Sequence, residues 1–208
     1  MTLEQFISNP ENKQLFKLLH FWLKSEGGKY ISAEFYVNYG DVGSGWFRPY
    51  IHGSFDPKIP EKLKNFFDET ILLTEENIHG NPTLENMMYS FEEDKVMFVD
   101  PYEESCIDSQ ALDYSQVLQC SRSYYGYIND RNVIVDSNSV QFCEDIPINF
   151  KIFNDLFETK ILKKDKKLVD ILEATQFIRM LPFKCATGNF KKAKFFYTHA
   201  CHLLNGIF

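Results

Sequence analysis

The spacing of apolar residues along the chain predicts a series of helices joined by short irregular segments. Apolar side chains recur at helical intervals between residues 15 and 23, and a second such run starts at Pro60 and extends towards Glu75. In the C-terminal half, the same spacing predicts further helices over residues 112–127, 147–162, 166–181 and 189–205. The third of these is expected to end before Pro182, because proline disfavours helical backbone in the preceding residue.

Two short hairpins are predicted between these helices. Residues 87–90 and 96–99 read as strands on either side of an acidic turn, and residues 132–135 and 139–142 flank a turn at Asp136. Residues 29–55 are rich in glycine and aromatic residues, which is typical of a loop-rich connector with a short hairpin. The expected fold class is therefore α+β and mostly helical.

Composition narrows the possible functions. The 208 residues carry a net charge of −7 and no long basic block, so the electrostatic footprint of a nucleic-acid binder is missing. No run approaches the roughly 18 apolar residues that span a bilayer, and the start lacks a secretory pattern, so a cytoplasmic location is expected.

Five widely spaced cysteines suggest neither a disulfide framework nor a zinc site. With no internal repeat, one domain over residues 1–208 is expected.

One polar loop carries a pattern with chemical meaning. It reads His79-Gly80-Asn81-Pro82-Thr83-Leu84-Glu85-Asn86 and is followed, after the first predicted hairpin, by Asp100-Pro101. In phosphoryl transfer, one loop residue lies beside the acceptor hydroxyl, and an amide oxygen five residues later binds Mg²⁺. An aspartate on the next loop binds the metal that bridges the phosphates. The spacing of Asn81, Asn86 and Asp100 fits these three roles.

This loop resembles the H-G-D-x-x-x-x-N catalytic loop and the I-D-P metal loop of the aminoglycoside phosphotransferase and choline kinase superfamily, a branch of the protein-kinase-like fold. Within this superfamily, the loop resembles that of sugar or capsule-biosynthesis phosphotransferases. The segment from Leu112 to Val117 resembles the helix start whose aspartate steadies the catalytic loop, and residues 177–183 resemble the closing helix with its L-P turn. The likeness covers most of the chain.

The resemblance implies a set of roles. Asn86 and Asp100 would bind Mg²⁺ and, through it, ATP, while Asn81 would occupy the position of the catalytic base. His79 and Asp113 would support the loop, with His79 as a buried, hydrogen-bonded histidine that transfers no proton. The implied reaction moves the γ-phosphate of ATP to a hydroxyl of a sugar or related metabolite.

Asn81 departs from the superfamily, which has aspartate at this position. A carboxamide cannot accept the hydroxyl proton, and loss of a positioned base costs on the order of 10²- to 10⁴-fold in rate. Asn81 fits a naturally inactive protein or a deliberate replacement of aspartate, and the sequence does not separate the two. The alternatives are a non-catalytic pseudokinase that binds a nucleotide, metabolite or protein partner, and a helical structural protein without a nucleotide site.

The chain is also short for a complete kinase-like enzyme. About 78 residues precede the loop, and they read as the hinge and first helices of the larger lobe. We therefore expect a single C-lobe, with residues 79–101 as the catalytic and metal loops and residues 102–208 as a helical subdomain. A smaller lobe covering the phosphates is expected to have been lost or removed, or to belong to another polypeptide.

Two other groups of residues have less specific explanations. Aromatic side chains between residues 36 and 50 could stack on a sugar ring, but such density is more often part of a core. Near the C-terminus, His199, Cys201 and His202 lie close together on one predicted helix. As metal ligands they would need further partners, so we interpret them as ordinary helix positions.

Overall fold

A computed structural model describes residues 9–10, 46–70, 78–90, 92–102, 109–125, 128, 133–143, 145–161 and 163–208. The helix predicted from the apolar run at residues 15–23, which is expected to end at Gly27-Gly28, and connector residues 29–45 lie outside this part of the chain. The described residues form five α-helices: α1 (Ile59–Glu69), α2 (Gln110–Ser121), α3 (Asn149–Glu158), α4 (Lys163–Ala186) and α5 (Phe190–Ile207). They also form seven short strands: β1 (Trp46–Phe47), β2 (Tyr50–His52), β3 (Met87–Ser90), β4 (Lys95–Phe98), β5 (Val133–Val135), β6 (Ser139–Phe142) and β7 (Ile146–Pro147). The fold is α+β and mostly helical, as predicted.

Both hairpins predicted after residue 86 are present. β3 pairs antiparallel with β4, with Met87 opposite Phe98, and β5 pairs antiparallel with β6, with Val133 opposite Phe142. A 3-10 turn at Leu84–Asn86 leads directly into β3. The polar loop is therefore joined to its hairpin without an intervening segment.

The prediction of a hairpin within residues 29–55 is wrong for the described part of that segment. β1 pairs with β7, and β2 pairs with the far side of β6, so their partners lie about 90 to 100 residues later in the chain. Gly53 follows β2 where the backbone touches α5, and a Cβ there would overlap the Thr198 carbonyl. Side-chain alternation marks a strand but does not identify a remote partner.

Four predicted helix ends also need correction, among them the end of α3, which lies at Glu158 rather than at residue 162. α1 ends at Glu69 and α2 at Ser121, both earlier than predicted, and α4 continues through Pro182 as far as Ala186. A proline removes one backbone donor, and packing elsewhere along a 24-residue helix can compensate for that loss. The reversal after α4 comes instead at Gly188, whose φ of +73° lies in the left-handed region that terminates many helices.

The core lies between α2, α3, α4 and α5 and is dominated by phenylalanine. The largest fully buried rings are Phe142, Phe150, Phe153, Phe157, Phe177, Phe195 and Phe196. α2 is at the centre, because ten of its twelve residues are buried, including polar ones. Asp113 in its first turn and Arg122 just after its last residue each take part in side-chain hydrogen bonds. None of the described helices is long and apolar enough to cross a membrane.

Candidate functional site

The start of the polar loop is held by a carboxylate in the first turn of α2. Asp113 is 4% exposed and accepts hydrogen bonds from the backbone N–H groups of His79, at 2.8 Å, and Gly80, at 2.9 Å. Hydrogen bonds to an ionised acceptor are stronger than neutral ones, and the positive end of the helix dipole also favours a carboxylate in this turn. α2 thus fixes the backbone of the loop at its first two residues.

Gly80 is required by the segment that follows the hairpin. Its φ is +76°, and a Cβ at this position would lie 2.6 Å from the carbonyl oxygen of Tyr102. The Tyr102 N–H in turn donates to the His79 carbonyl at 3.0 Å. The chain after Asp100 therefore packs directly against the first residues of the loop, which only glycine permits.

The His79 ring braces the loop from within. Its Nδ1 accepts a hydrogen bond from the Asn81 N–H at 3.3 Å, and the ring lies 5.6 Å from that of Phe98. Because Nδ1 is the acceptor, the neutral ring carries its proton on Nε2, which is buried and has no hydrogen-bond partner in the described part of the chain. This geometry agrees with the predicted supporting role, although the residue is only half-buried.

Asn81 and Asn86 are joined by a direct hydrogen bond. The Asn86 side chain donates from Nδ2 to the Asn81 carbonyl at 2.9 Å, and the same carbonyl accepts from the Thr83 N–H at 2.8 Å. The Asn86 N–H donates to the Thr83 carbonyl at 2.9 Å and closes the turn. Since the amide nitrogen of Asn86 is committed, its oxygen Oδ1 is the atom left for another partner.

Asp100 lies beside Asn86 at the open end of the hairpin. The Val99 N–H donates to the Asn86 carbonyl at 2.9 Å, which extends the β3–β4 ladder by one step beyond the Met87–Phe98 pair. The next residue, Asp100, has a φ of +57° and is exposed. The left-handed backbone ends the strand at this point and leaves the carboxylate accessible to solvent.

The structure therefore brings the sequence-predicted residues together. His79, Asn81, Asn86 and Asp113 are linked by hydrogen bonds, and Asp100 is one residue beyond the bond from Val99 to Asn86. Among the described residues, no cluster of three or more His, Cys, Asp or Glu could hold a metal ion. A pair of one carboxylate and one amide oxygen suits Mg²⁺, which usually keeps several waters and binds substrate phosphates as well.

The sequence did not predict the buried contact that anchors the loop to the core. Leu84 is 1% exposed and packs into the core, and Cys120 of α2 lies beneath it. Burial raises the pKa of the Cys120 thiol to about 12, against the opposing effect of a hydrogen bond from the Leu84 backbone. No local signal could have paired these residues, since they are 36 positions apart.

Comparison of the chain with known protein families, curated proteins and solved structures returns no match. A functional assignment therefore has to come from the residues and contacts of this chain.

Proposed function

We propose that this protein is the larger lobe of a kinase-like phosphotransferase that binds Mg²⁺ and ATP at the open end of the β3–β4 hairpin. The acceptor in this proposal is a hydroxyl of a sugar or related metabolite. The observation that carries the proposal is the hydrogen bond from the Asn86 side chain to the Asn81 carbonyl. This bond joins the candidate base position to a candidate metal ligand, beside the strand end that carries Asp100.

Each residue has a part that follows from its surroundings. The Oδ1 atom of Asn86 and the carboxylate of Asp100 would hold Mg²⁺, which when bound neutralises charge on the phosphates. Asp113 and the Gly80 turn keep the loop backbone in place. The backbone that carries the Asn81 side chain is therefore fixed beside the acceptor site. Phosphoryl transfer depends mainly on such positioning and on electrostatic stabilisation. A smaller lobe covering the phosphates, from this or another polypeptide, belongs to the proposal.

Asn81 limits the rate in this scheme. A carboxamide can donate a hydrogen bond to, or accept one from, the acceptor hydroxyl, but it cannot take the proton at neutral pH. The reaction as this sequence stands is therefore slower by the contribution of a positioned base, on the order of 10²- to 10⁴-fold.

Asn81 also favours a second candidate, a non-catalytic pseudokinase. Such a protein would bind Mg²⁺ and a nucleotide through Asn86 and Asp100 and act through a partner or bound metabolite. The two candidates share the same metal site and differ only in whether phosphate is transferred.

Binding is tested first, by thermal unfolding with Mg²⁺ alone, with ATP and a chelator, and with Mg²⁺ and ATP together. Both candidates predict stabilisation only by the combination, because ligand binding to the folded state alone raises its stability. Asn86→Ala and Asp100→Asn should abolish the effect, and Asp155→Asn, an exposed carboxylate on α3, should preserve it. Equal unfolding temperatures under all three conditions would rule out both candidates.

Transfer is tested next, with labelled ATP and a panel of sugars and sugar alcohols. Asn81→Asp restores a carboxylate at the base position and should raise the rate by roughly 10²- to 10⁴-fold over the unaltered protein. The same substitution combined with Asp100→Asn should remove this gain. Nucleotide binding without any transfer by Asn81→Asp would leave the pseudokinase as the better description.

A further inference from the structure

A second polar region lies at the opposite end of α2 from the candidate phosphotransfer site. It surrounds a cavity of about 490 Å³ whose polar and aromatic lining includes Tyr50, Arg122, Ser123, Asp170, His199 and His202. Arg122 follows Asp113 by nine residues, which corresponds to roughly 13 Å along a helix axis. The volume falls within the range of small-molecule sites, about 300–1,000 Å³.

A cluster of ion pairs lies beside this cavity. Arg122 bonds to Glu158 at 2.9 Å, to Asp170 at 2.7 Å and also to Glu173, which is fully buried. Lys166 supplies a second positive charge, 2.6 Å from Glu158 and 3.7 Å from Asp170. Three carboxylates thus pair with two cations in this cluster, and of these five groups Arg122 and Asp170 line the cavity.

The donors of Arg122 are largely used within this network. Its Nε and Nη1 atoms donate one hydrogen bond each, and Nη2 donates two, so four of its five N–H groups are engaged. The guanidinium group is therefore a poor anchor for a ligand. Asp170 remains partly exposed, at 19%, and carboxylate oxygens can accept more than one hydrogen bond.

The hydrogen bonds of His199 leave an acceptor without a partner. Ser123 donates its only hydroxyl proton to Glu173 at 2.5 Å, so His199 Nε2, 2.5 Å from the same hydroxyl, must be the donor in that contact. Burial lowers the pKa of His199 to about 3, and the neutral ring has a bare Nδ1 atom. That atom is buried without a hydrogen-bond partner in the described part of the chain. Ser123 is not an activated nucleophile, because its proton faces a carboxylate rather than the imidazole.

His202 adds a second acceptor of the same kind. Its Nδ1 lies 2.8 Å from the His52 carbonyl, which can only accept, so Nδ1 carries the proton and Nε2 of the neutral ring is an acceptor. Tyr50, which is 65% exposed, contributes an aromatic ring to the same cavity. Aromatic faces attract cations. The lining therefore offers acceptor atoms at Asp170, His199 and His202, while most of the donors of Arg122 are already engaged.

The cavity is also preformed on one side. The close approach of Gly53 to α5 and a hydrogen bond from Asn205 Nδ2 to the Ser54 carbonyl, at 3.0 Å, hold the end of β2 against the last helix. The bond from His202 to the His52 carbonyl is a third link between the same two elements. Binding would require little reorganisation of this wall, which favours affinity.

We propose that this cavity is a binding site for a small organic cation, a primary amine on a short carbon chain. Its ammonium N–H groups bond to Asp170 and to the acceptor nitrogen of His202, and the ring of Tyr50 covers the charge. The site is separate from the Mg²⁺ and ATP site and does not depend on it.

Three probes of equal length but different charge test this proposal. They are the four-carbon diamine putrescine, butanediol and succinate, each titrated at physiological ionic strength and followed by amide chemical shifts in NMR spectra. We expect saturable shifts with putrescine alone, centred on residues 50–52, 122–124 and 199–206. No saturable binding, equal binding of the diol, preferential binding of succinate, or shifts confined to other surfaces would overturn the proposal.

Variants separate this site from general attraction to an acidic protein. Asp170→Asn and Tyr50→Ala should weaken putrescine binding, the first by at least about ten-fold, which corresponds to the loss of one charged contact. Asp155→Asn removes an exposed charge outside the cavity and should bind as the unaltered protein does. If Asp170→Asn does not fold, Tyr50→Ala decides, since Tyr50 is largely exposed. Unchanged affinity in Tyr50→Ala would then contradict the proposal.

Discussion

The two ends of α2 each bury a carboxylate, but the donors that satisfy it are different. Asp113 accepts from the backbone N–H groups of His79 and Gly80. Glu173 accepts from the side chains of Arg122 and Ser123, and Arg122 also bonds to α3 through Glu158. Backbone donors exist in every sequence, so the first arrangement needs only one well-placed aspartate. The second needs compatible side chains on several helices.

This difference has an energetic consequence. Removing one member of the Arg122 cluster leaves a charge buried without compensation, whereas altering Asp113 leaves two neutral N–H groups unsatisfied. Buried uncompensated charge is the more costly of the two. We therefore expect the Arg122 cluster to stabilise the packing of several helices. Asp113 is expected to stabilise a single loop.

The largest effect is expected from Arg122→Met. Glu173 would remain fully buried without its cation, and breaking such a pair costs about 3–5 kcal/mol in the free energy of unfolding. Urea denaturation measures this loss. The double variant Arg122→Met, Glu173→Leu should recover much of it, because no charge is left unpaired between those two residues. A double variant as unstable as the single one would show that the pair itself, rather than the orphaned charge, carries the stability.

Asp113→Asn should have a smaller and more local effect. The amide keeps one acceptor and turns an NH₂ group towards a backbone donor, so we expect a loss of about 1.5–3 kcal/mol, the range for one hydrogen bond to a charged group. Hydrogen exchange should be faster at the amides of His79 and Gly80 than in the core of α5. Asp155→Asn is the matched control and should change stability by less than about 0.5 kcal/mol. Uniform acceleration of exchange across the protein would contradict a local role.

His199, near the C-terminal end of α2, makes the free energy of unfolding depend on pH. Its pKa is about 3 in the folded protein against 6.5 for a free side chain, so between these values the unfolded state binds more protons and stability falls as the pH falls. From pH 7 to pH 5 this contribution should fall by about 2 kcal/mol, at 1.36 kcal/mol per pH unit below 6.5. The measurement is urea denaturation at both pH values, with His199→Gln as the reference that lacks the titrating ring.

Glu173 acts in the opposite direction over part of this range. Burial raises the pKa of its carboxyl above 4.5, so that group lowers stability as the pH rises from that value. The difference between the unaltered protein and His199→Gln therefore isolates the histidine. Parallel pH curves for the two proteins would show that His199 is not the titrating group.

The last comparison is between two glycines, and one of them, Gly188, gives the smallest expected effect. Gly80 and Gly188 have similar φ values, +76° and +73°, but a Cβ at Gly80 would meet the Tyr102 carbonyl, whereas one at Gly188 would have nothing within 4 Å. Gly188→Ala should cost about 1 kcal/mol for left-handed backbone alone. Gly80→Ala adds the steric conflict and should cost about 1–3 kcal/mol more, again measured by urea denaturation. Equal losses would mean that the segment at Tyr102 can move aside.

The correct sequence predictions concern patterns within one segment, and the incorrect ones depend on contacts with distant elements. The β3–β4 hairpin and the extent of α5 follow from alternation and helical spacing within one segment, and both are confirmed. α2 was expected to continue to residue 127, but the Arg122 and Ser123 N–H groups both donate to the Leu118 carbonyl and the helix stops at Ser121. Packing of surrounding elements decides such an end.

The sequence by itself determined the loop and hairpin from His79 to Tyr102, because the hydrogen bonds within that unit join residues fewer than 25 positions apart. Spacing and turn residues are enough to specify contacts at that range. The tertiary structure alone decided the partners of β1 and β2, the carboxylates around Arg122 and the cavity beside His199. Those contacts join residues brought together by burial of the phenylalanine core, and no local pattern records which distant side chains will meet there.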